Sequence, residues 1–591
     1  MAVWKCSICE YLYDEMSGDQ STNIPPGTPF SSIPDTWRCP ICHADKTAFK
    51  RVLENNPSTA NLPTVSEAII KNLVHFGIIE YFGVPGTSSL GIIDAIRKND
   101  NARFTLFRHE ENAAMVASAY NKLTGKIAAC VTIAGPGATN LTTGLYDAKE
   151  DRASVLSING QVEMQYAGPG GFQEIDQDAF FRPVTVFNNT IYDKKITMKI
   201  LTMAVQHAVV RSGVAQISVP NDIQKQEIDP EYATVHGVIP NRMIRPDNET
   251  LQKAITLIHS STSPVILAGW GAHSYPSQVE TFADRIDAPI LSTFRAKGII
   301  PDEHPLYAGI LGTVGSPGAR TMVEQADLLI TLGVGFSKMT RVPEHTRIIQ
   351  VDYDPIRLGR GKDTLPVYGD VGEVLREILQ GIPSSSHSSA RNRVEQVKKP
   401  WEEIRKTEAD DRSTPIRPPY IMEILSKIIP SDAIISVDVG ENGWWFGRNF
   451  RMKGQKFVMS GYLATMGFGF PGAIAGKIAY PEKRVFCITG DGGFAMAMGD
   501  FVTAVKYNLP MVVIILNNHE LGMIQVEQQI EKYPNYATAL HNPDFVLYAK
   551  SCGGEGIRVE KPEELESAVI WATSQDCPVI VDVITDPRRF V

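Results

Sequence analysis

Two groups of residues in this sequence combine the types and spacing that chemistry needs. Cys6 and Cys9 form one Cys-x2-Cys knuckle and Cys39 and Cys42 a second, with 29 residues between them. Two such knuckles can turn four thiolates tetrahedrally onto one metal ion. The other four cysteines, Cys130, Cys487, Cys552 and Cys577, are scattered and read as core or neutral thiols. A disulfide framework fits a chain of 591 residues poorly. The second group is Gly490-Asp491-Gly492-Gly493, after the apolar run RVFCIT, with Asn518, which closes MVVIILNN 27 residues beyond Asp491. Glycines let backbone amides approach a phosphate, and Asp491 and Asn518 offer hard oxygens to a Mg2+ ion that also takes diphosphate oxygens. A lone Gly-Asp-Gly is a common turn; its pairing with Asn-Asn at this distance is much rarer. Far upstream, Arg108-His109-Glu110-Glu111-Asn112 reads by itself as a solvated helix start, with glutamate favoured in the first turn.

Such residues need elements to position them. Around the first four cysteines, Trp4, Tyr11, Tyr13, Phe30, Trp37 and Phe49 supply a small core, and IPPGTPF is turn chemistry. A segment of ~50 residues gains security from a metal staple. From Thr64 the chain alternates helix-like stretches (TVSEAIIKNLVHFG) with short apolar strands (KIAACVTIAGPG, RASVLSING, VAQISVP). A second block with SPVILAGWGAH, ADLLITLGVG and RIIQVDYD starts near Pro246, and a third with DAIISVDVGENG, KRVFCITGDGG and PVIVDVITD near Pro418. Such alternation implies βαβ units and parallel sheets. The expected fold class is therefore α/β, with three parallel-sheet domains behind a small metal module. The expected boundaries are 1–52 for the module, 53–62 for a polar linker, 63–230, 246–382, a linker and charged helix over 383–414, and 415–591. Gly490-Asp491-Gly492 then sits at the carboxyl end of a strand, where open α/β sheets bind ligands.

Composition narrows the partners. Lys and Arg number 57 against 66 Asp and Glu, a net charge of −9, so no basic surplus argues for nucleic acid or an anionic membrane. No stretch reaches the ~20 apolar residues of a spanning helix. MAVWKCSICEYLYDE lacks the basic flank and apolar run of a secretory signal. A cytoplasmic protein is expected.

Two resemblances follow from these motifs. KCSICEYLYDEMSGD, IPPGTPF and IPDTWRCPICHADKTAF resemble rubredoxin over residues 1–50, which implies one iron on four cysteines and single-electron transfer. That family usually has glycine after the second cysteine of each knuckle; here stand Glu10 and His43, a departure that could shift the potential or favour zinc. Residues 64–586 resemble thiamine diphosphate enzymes. The resemblance implies that Glu110, or Glu111 if the register slips, hydrogen-bonds the aminopyrimidine ring of the cofactor. It also implies that Gly135-Pro136-Gly137 form a cofactor loop, that Met466 is the bulky residue over which the cofactor bends, and that Gly440-Glu441-Asn442 lie on the diphosphate side. Glu520 takes the third metal-ligand position through its main-chain carbonyl, beside Gly522 and Met523.

Within that superfamily the chain is similar to pyruvate oxidase, with acetolactate synthase the close rival. Phe172 and Gln173 match substrate-pocket positions of both, and Glu527 falls where pyruvate oxidases carry an acidic residue, although a solvated helix charge fits it equally well. Gly269, Gly271, Ser292, Thr293, Gly333 and Asp352 match flavin-contact regions, which implies FAD. Flavin-free relatives keep some of these glycines, and LGTVGSPGA departs from the oxidase pattern. The chain ends at Val591 without the long tail of the pyruvate oxidases, which puts quinone reduction in doubt. The resemblance implies oxidative decarboxylation of a 2-oxo acid, pyruvate first, with electrons passing through FAD to the N-terminal iron and on to a redox partner protein. The alternative is a non-redox carboligase or lyase, similar to acetolactate synthase or sulfoacetaldehyde acetyltransferase, with a structural metal knob. A homotetramer is expected, because in this family each site is shared between two chains.

Overall fold

The computed structural model describes residues 2–52, 62–235, 239–240, 243–383 and 389–587. Residues 53–61 of the expected first linker and residues 384–388 of the second lie outside the described residues. The chain forms two compact units, Met1–Leu62 and Pro63–Val591.

In the first unit, strands Leu12–Asp14, Val3–Cys6 and Phe49–Val52 pair antiparallel in that order. Aromatic rings fill its core. Phe30 stacks on Trp4 with centroids 4.5 Å apart, and Trp37 meets Phe30 and Phe49 edge-on. Such pairs contribute ~0.5–1.5 kcal/mol each beyond their burial. Glu15 ties the first strand to this core. Its carboxylate accepts from the Ala2 amide at 2.8 Å and from the Trp4 indole and the Phe30 amide at 3.0 Å. Those donors, the Ala2 amide foremost, pull its pKa down from 4.5 to about 2. A depressed folded-state pKa gives stability that is present above the ordinary value and lost as pH falls through the folded one. The unit is therefore expected to lose stability between pH 4.5 and about 2, and Glu15→Gln to flatten that loss. The Trp4 indole N–H resonance followed against pH checks this; identical titrations of variant and parent would contradict it.

The second unit holds three six-stranded sheets whose neighbouring strands are all parallel. Strands such as Ala128–Thr132 and Val512–Asn517 are buried along their whole length, as a sheet covered on both faces requires. The first sheet runs Arg103–Leu106, Glu80–Gly83, Ala128–Thr132, Val155–Gln161, Val214–Pro220, Phe187–Thr190. The last runs Lys456–Val458, Ile434–Val437, Val485–Gly490, Val512–Asn517, Val579–Ile584, Glu555–Val559. Counted along the chain, both read 2-1-3-4-6-5. The middle sheet runs Tyr307–Ile310, Ile290–Ser292, Pro264–Ala268, Leu328–Leu332, Ile348–Asp352, Thr364–Tyr368 and reads 3-2-1-4-5-6, the doubly wound dinucleotide-binding order. Ligands bind beyond the strand ends where the order reverses. That point lies between strands one and three in the outer sheets, and between strands one and four in the middle one.

A buried charge cluster joins the three domains. Lys122 donates to Asp147 at 2.7 Å and to Asp151 at 2.6 Å, and Asp151 also pairs with Arg295 at 3.1 Å. The amides of Gly461 and Tyr462 complete the shell of Asp151 at 2.8 and 3.0 Å. Burial pushes the Asp147 pKa up; for Asp151 the cations Arg295 and Lys122 outweigh burial and bring it down. The turn that leads to Met466 is thus anchored from two other domains. Among the described residues, no helix is long and apolar enough to cross a membrane.

Candidate functional site

In the first unit, the four Sγ atoms of Cys6, Cys9, Cys39 and Cys42 lie within 4.8 Å of one another. Cys6 and Cys42 are 3.7 Å apart, Cys9 and Cys39 3.5 Å. A tetrahedron with metal–sulfur bonds of ~2.3 Å has edges of about 3.8 Å, so this donor set fits one metal ion. Glu10 and His43 adopt left-handed φ values of 64° and 58°. Their amides donate to the Cys6 and Cys39 carbonyls at 3.0 and 2.9 Å, so both knuckles close with the same turn. That conformation disfavours any residue with a Cβ by about 1 kcal/mol. The exposed Lys5–Glu10 ion pair offsets little of it. Replacing both residues by glycine is expected to stabilise the metal-loaded unit by about 1 kcal/mol per site. Chemical denaturation followed at the metal–thiolate absorption checks it; an unchanged midpoint would contradict it.

In the second unit, the diphosphate-side residues meet at the reversal point of the last sheet. Asp491 opens a helix directly after the strand Val485–Gly490, and is almost fully buried. Its Oδ1 accepts from the Gly492 amide at 3.0 Å, and its Oδ2 from the His519 amide at 2.9 Å and the Asn542 side chain at 2.7 Å. Burial raises its pKa, and these donors pull it partly back. Asn518 donates to Glu441 at 3.4 Å, and its Oδ1 accepts from the Glu520 amide at 3.1 Å. The Glu520 carboxylate turns aside to Gln525 at 2.6 Å. Asn442 donates to the carbonyls of Asp438 and Ile488, and its Oδ1 lies 3.6 Å from where a Cβ on Gly490 would stand. A Cβ on Gly492 would come 3.4 Å from the Met466 methyl and 3.1 Å from Leu521 and Leu540. Gly493 packs on Asp438 and Gly522 opens the next helix. The hard oxygens of Asp491 and Asn518, beside the closely packed Gly492 and Gly493, fit a metal-bound diphosphate.

The pyrimidine-side residues form their own cluster at the first sheet. Glu110 starts the helix Glu110–Thr124 behind the His109 cap and is 7% exposed, while Glu111 is half-buried. The Glu110 Oε2 accepts from Asn140 at 3.0 Å, and its Oε1 stands 3.2 Å from where a Cβ on Gly137 would be. Gly135 has φ 64°, and a Cβ there would strike the Gln173 carbonyl at 2.7 Å. Pro136 then opens a short helix. Gln173 is itself left-handed at φ 65°, and Phe172 beside it is 90% exposed.

The middle sheet opens on a cavity of about 1070 Å3. Gly271, Thr293, Gly333 and Asp352 line it, together with Gly440, Met523 and Glu527 from the last domain. Gly269 and Gly333 are also required by backbone packing alone. A Cβ on Gly269 would sit 2.2 Å from the Gly333 carbonyl, and one on Gly333 2.4 Å from the Gly271 Cα. The Ser292 hydroxyl hydrogen-bonds Tyr307 at 2.7 Å inside the core. Burial raises the Asp352 pKa and brings that of His273 down to about 4, so the His273 ring is neutral near pH 7. His273 stacks on Trp270 at 4.4 Å, and Arg295 covers the same indole at 4.5 Å.

Sequence reasoning did not find Asp438, Asn542, the hydrogen bond from Asn140 to Glu110 or the stacking of His273 and Arg295 on Trp270. Asn542 comes closest to a detectable signal, since NPDF follows the second motif. Its approach to Asp491, however, depends on main-chain pairing of the 538–540 stretch with 519–521.

The comparisons agree with this geometry. The chain matches the rubredoxin family over residues 3–49. It matches the thiamine pyrophosphate enzyme N-terminal TPP binding domain over 63–180, the central domain over 251–378 and the C-terminal TPP binding domain over 438–583. The chain therefore belongs to the thiamine pyrophosphate (thiamine diphosphate) enzymes and carries an N-terminal rubredoxin domain. It is 40% identical to YdaP of Bacillus subtilis, described as thiamine pyrophosphate-containing, over 88% of this chain and 91% of that protein. It is 34% identical to a probable acetolactate synthase large subunit of Methanocaldococcus jannaschii, over 89% and 92% of the two chains. It is 32% identical to the pyruvate oxidase of Lactiplantibacillus plantarum, over 88% of each.

Proposed function

We propose that the protein catalyses the thiamine diphosphate- and Mg2+-dependent oxidative decarboxylation of a 2-oxo acid, pyruvate the expected one, with electrons passing by way of FAD to iron in the four-cysteine unit. Bound thiamine diphosphate supplies the nucleophilic carbon and the electron sink for loss of CO2. Glu110, buried beside Asn140, would hydrogen-bond the aminopyrimidine end of the cofactor. Asp491 and Asn518, with the Glu520 carbonyl, would hold Mg2+ at the diphosphate end, and Met466 would prop the cofactor. Phe172 and Gln173 would face the substrate, and Glu527, which lines the cavity at the middle sheet, would stand near the flavin.

The observation that carries the redox reading is the cavity at the 3-2-1-4-5-6 sheet of a chain that also holds a four-thiolate metal site. Its volume suits a ligand of dinucleotide size, since pockets for drug-sized ligands run roughly 300–1,000 Å3. A flavin there accepts two electrons together and releases them singly, and this gives a one-electron iron centre its purpose. The similarity to acetolactate synthase supports a second reading, carboligation with a structural metal. Visible spectra before and after adding pyruvate with thiamine diphosphate and Mg2+ test the two. Flavin bleaching followed by loss of the iron–thiolate bands is expected; acetolactate formed with no bleaching would establish the carboligase instead.

The same reading includes a homotetramer built from dimers. Phe172 at 90%, Tyr536 at 80% and Met496 at 65% exposure flank the two half-sites, and a second copy of the chain would cover them. Sedimentation is expected to show dimers or tetramers; a fully active monomer would contradict the shared site.

A further inference from the structure

Asp438 follows the strand Ile434–Val437 at the reversal point of the last sheet, and its side chain is fully buried. A buried carboxylate is costly unless every lone pair is met. Here neutral donors from separate loops meet it. Oδ1 accepts from the Val439 amide at 2.7 Å and the Gly467 amide at 3.0 Å, and Oδ2 from the Thr489 hydroxyl at 2.9 Å. The main chain of Asp438 adds two more links, its amide donating to Ile488 and its carbonyl accepting from Asn442, both at 2.9 Å. Val439 leads into Gly440-Glu441-Asn442, Gly467 follows Met466, and Thr489 precedes Gly490-Asp491. Two glycines are shaped to the same side chain. A Cβ on Gly469 would meet the Asp438 Cβ at 2.8 Å, and one on Gly493 its Oδ2 at 2.8 Å.

We propose that Asp438 is the positioning residue of the cofactor site: by holding the Gly467 amide and the Thr489 hydroxyl on one carboxylate, it fixes Met466 against the diphosphate loop before the cofactor arrives. This rests on the reading of the site as a thiamine diphosphate holder. In Asp438→Asn, an NH2 group set toward the Val439 and Gly467 amides would leave both without an acceptor, and one set toward Thr489 would turn that hydroxyl from donor to acceptor, so the variant holds the two loops less firmly than the carboxylate. Burial raises the pKa of Asp438 to about 6, and the loop amides and Thr489 oppose that rise.

The test uses full-length Asp438→Asn and Thr489→Val, the second removing one donor without touching the carboxylate. Three quantities are read: thiamine diphosphate affinity with Mg2+ by calorimetry, C2–H exchange of the bound cofactor by NMR, and the thermal midpoint of the cofactor-free protein. Asp438→Asn is expected to weaken affinity about 10- to 100-fold, as loss of an outer-shell partner does, and to slow C2–H exchange in the saturated variant. Thr489→Val is expected to weaken affinity roughly tenfold, the loss of one buried hydrogen bond, with the same direction in exchange. Parental exchange rates in the saturated variants, whatever the thermal midpoints, would reduce Asp438 to a structural residue and overturn the proposal. If Asp438→Asn fails to fold, Thr489→Val decides alone. If the parent protein itself fails to bind thiamine diphosphate, the reading of the site falls, and the proposal with it.

Discussion

Asp491→Ala is expected to abolish the binding of thiamine diphosphate and Mg2+ while the chain keeps its fold. Its carboxylate is the anionic side chain of the Gly490–Gly493 loop, and without it a divalent ion that prefers oxygen ligands would be left with the neutral oxygens of residues such as Asn518. Loss of the acceptor for the His519 amide destabilises the cofactor-free protein by about 1–3 kcal/mol. Relief from burying the carboxylate, which raises its pKa, works in the opposite direction. The cofactor-free melting temperature is therefore expected to change little. A cofactor at 100 times its dissociation constant stabilises a protein by about 2.7 kcal/mol, and that increment disappears in the variant. Calorimetric titration and melting curves with and without cofactor check both halves. Unchanged affinity would remove Asp491 from the site. Because its pKa is raised, protonation competes with Mg2+, and the affinity of the parent protein is expected to fall toward acid pH.

On the proposed function, Cys39→Ser is expected to separate electron transfer from decarboxylation. Cys39 is fully buried, with its sulfur 3.5 Å from that of Cys9, so the variant loses one of four thiolates and with it the metal. The first unit, about 50 residues long, then lacks its staple. The second unit has its own cores and is expected to remain folded. On the proposed reading, decarboxylation and flavin reduction are expected to survive, since neither would use iron, while reduction of an external one-electron acceptor is expected to fall sharply. Stopped-flow traces at flavin and acceptor wavelengths measure the split. Steady-state transfer equal to that of the parent with every acceptor would leave the first unit a structural knob.

The alternation of apolar runs was enough to predict three parallel α/β domains, because buried parallel strands are uninterrupted in sequence. Gly490-Asp491-Gly492 was legible for the same local reason, since strand, turn and helix follow one another. The missing glycines at Glu10 and His43 marked positions that do take a left-handed backbone. What stayed hidden was produced by distance along the chain. Asn542 reaches Asp491 across 51 residues, and Thr489 reaches Asp438 across the same number. Lys122, Asp151 and Arg295 come from different domains. Nothing in a single aspartate after an apolar strand announces that several donors will converge on it. Glu110 and Glu111 differ by one step around a helix. That step buries one and leaves the other half in water, and it is set by the His109 cap.

The shared strand order of the two outer sheets means that one architecture is used twice. In each, the third strand runs into a glycine-rich turn that opens a helix, at Gly135-Pro136-Gly137 in one and Gly490-Asp491-Gly492 in the other. In each, the helix after the second strand packs against its counterpart, Glu110–Thr124 on Gly469–Ala479. The same plan thus appears twice in this chain with different side chains at its turn. One turn carries a carboxylate of its own, Asp491, and the other, Gly135-Pro136-Gly137, carries none and instead packs beside the Glu110 carboxylate. A molecule with two chemically unlike ends can be gripped by two such domains, each suited to one end.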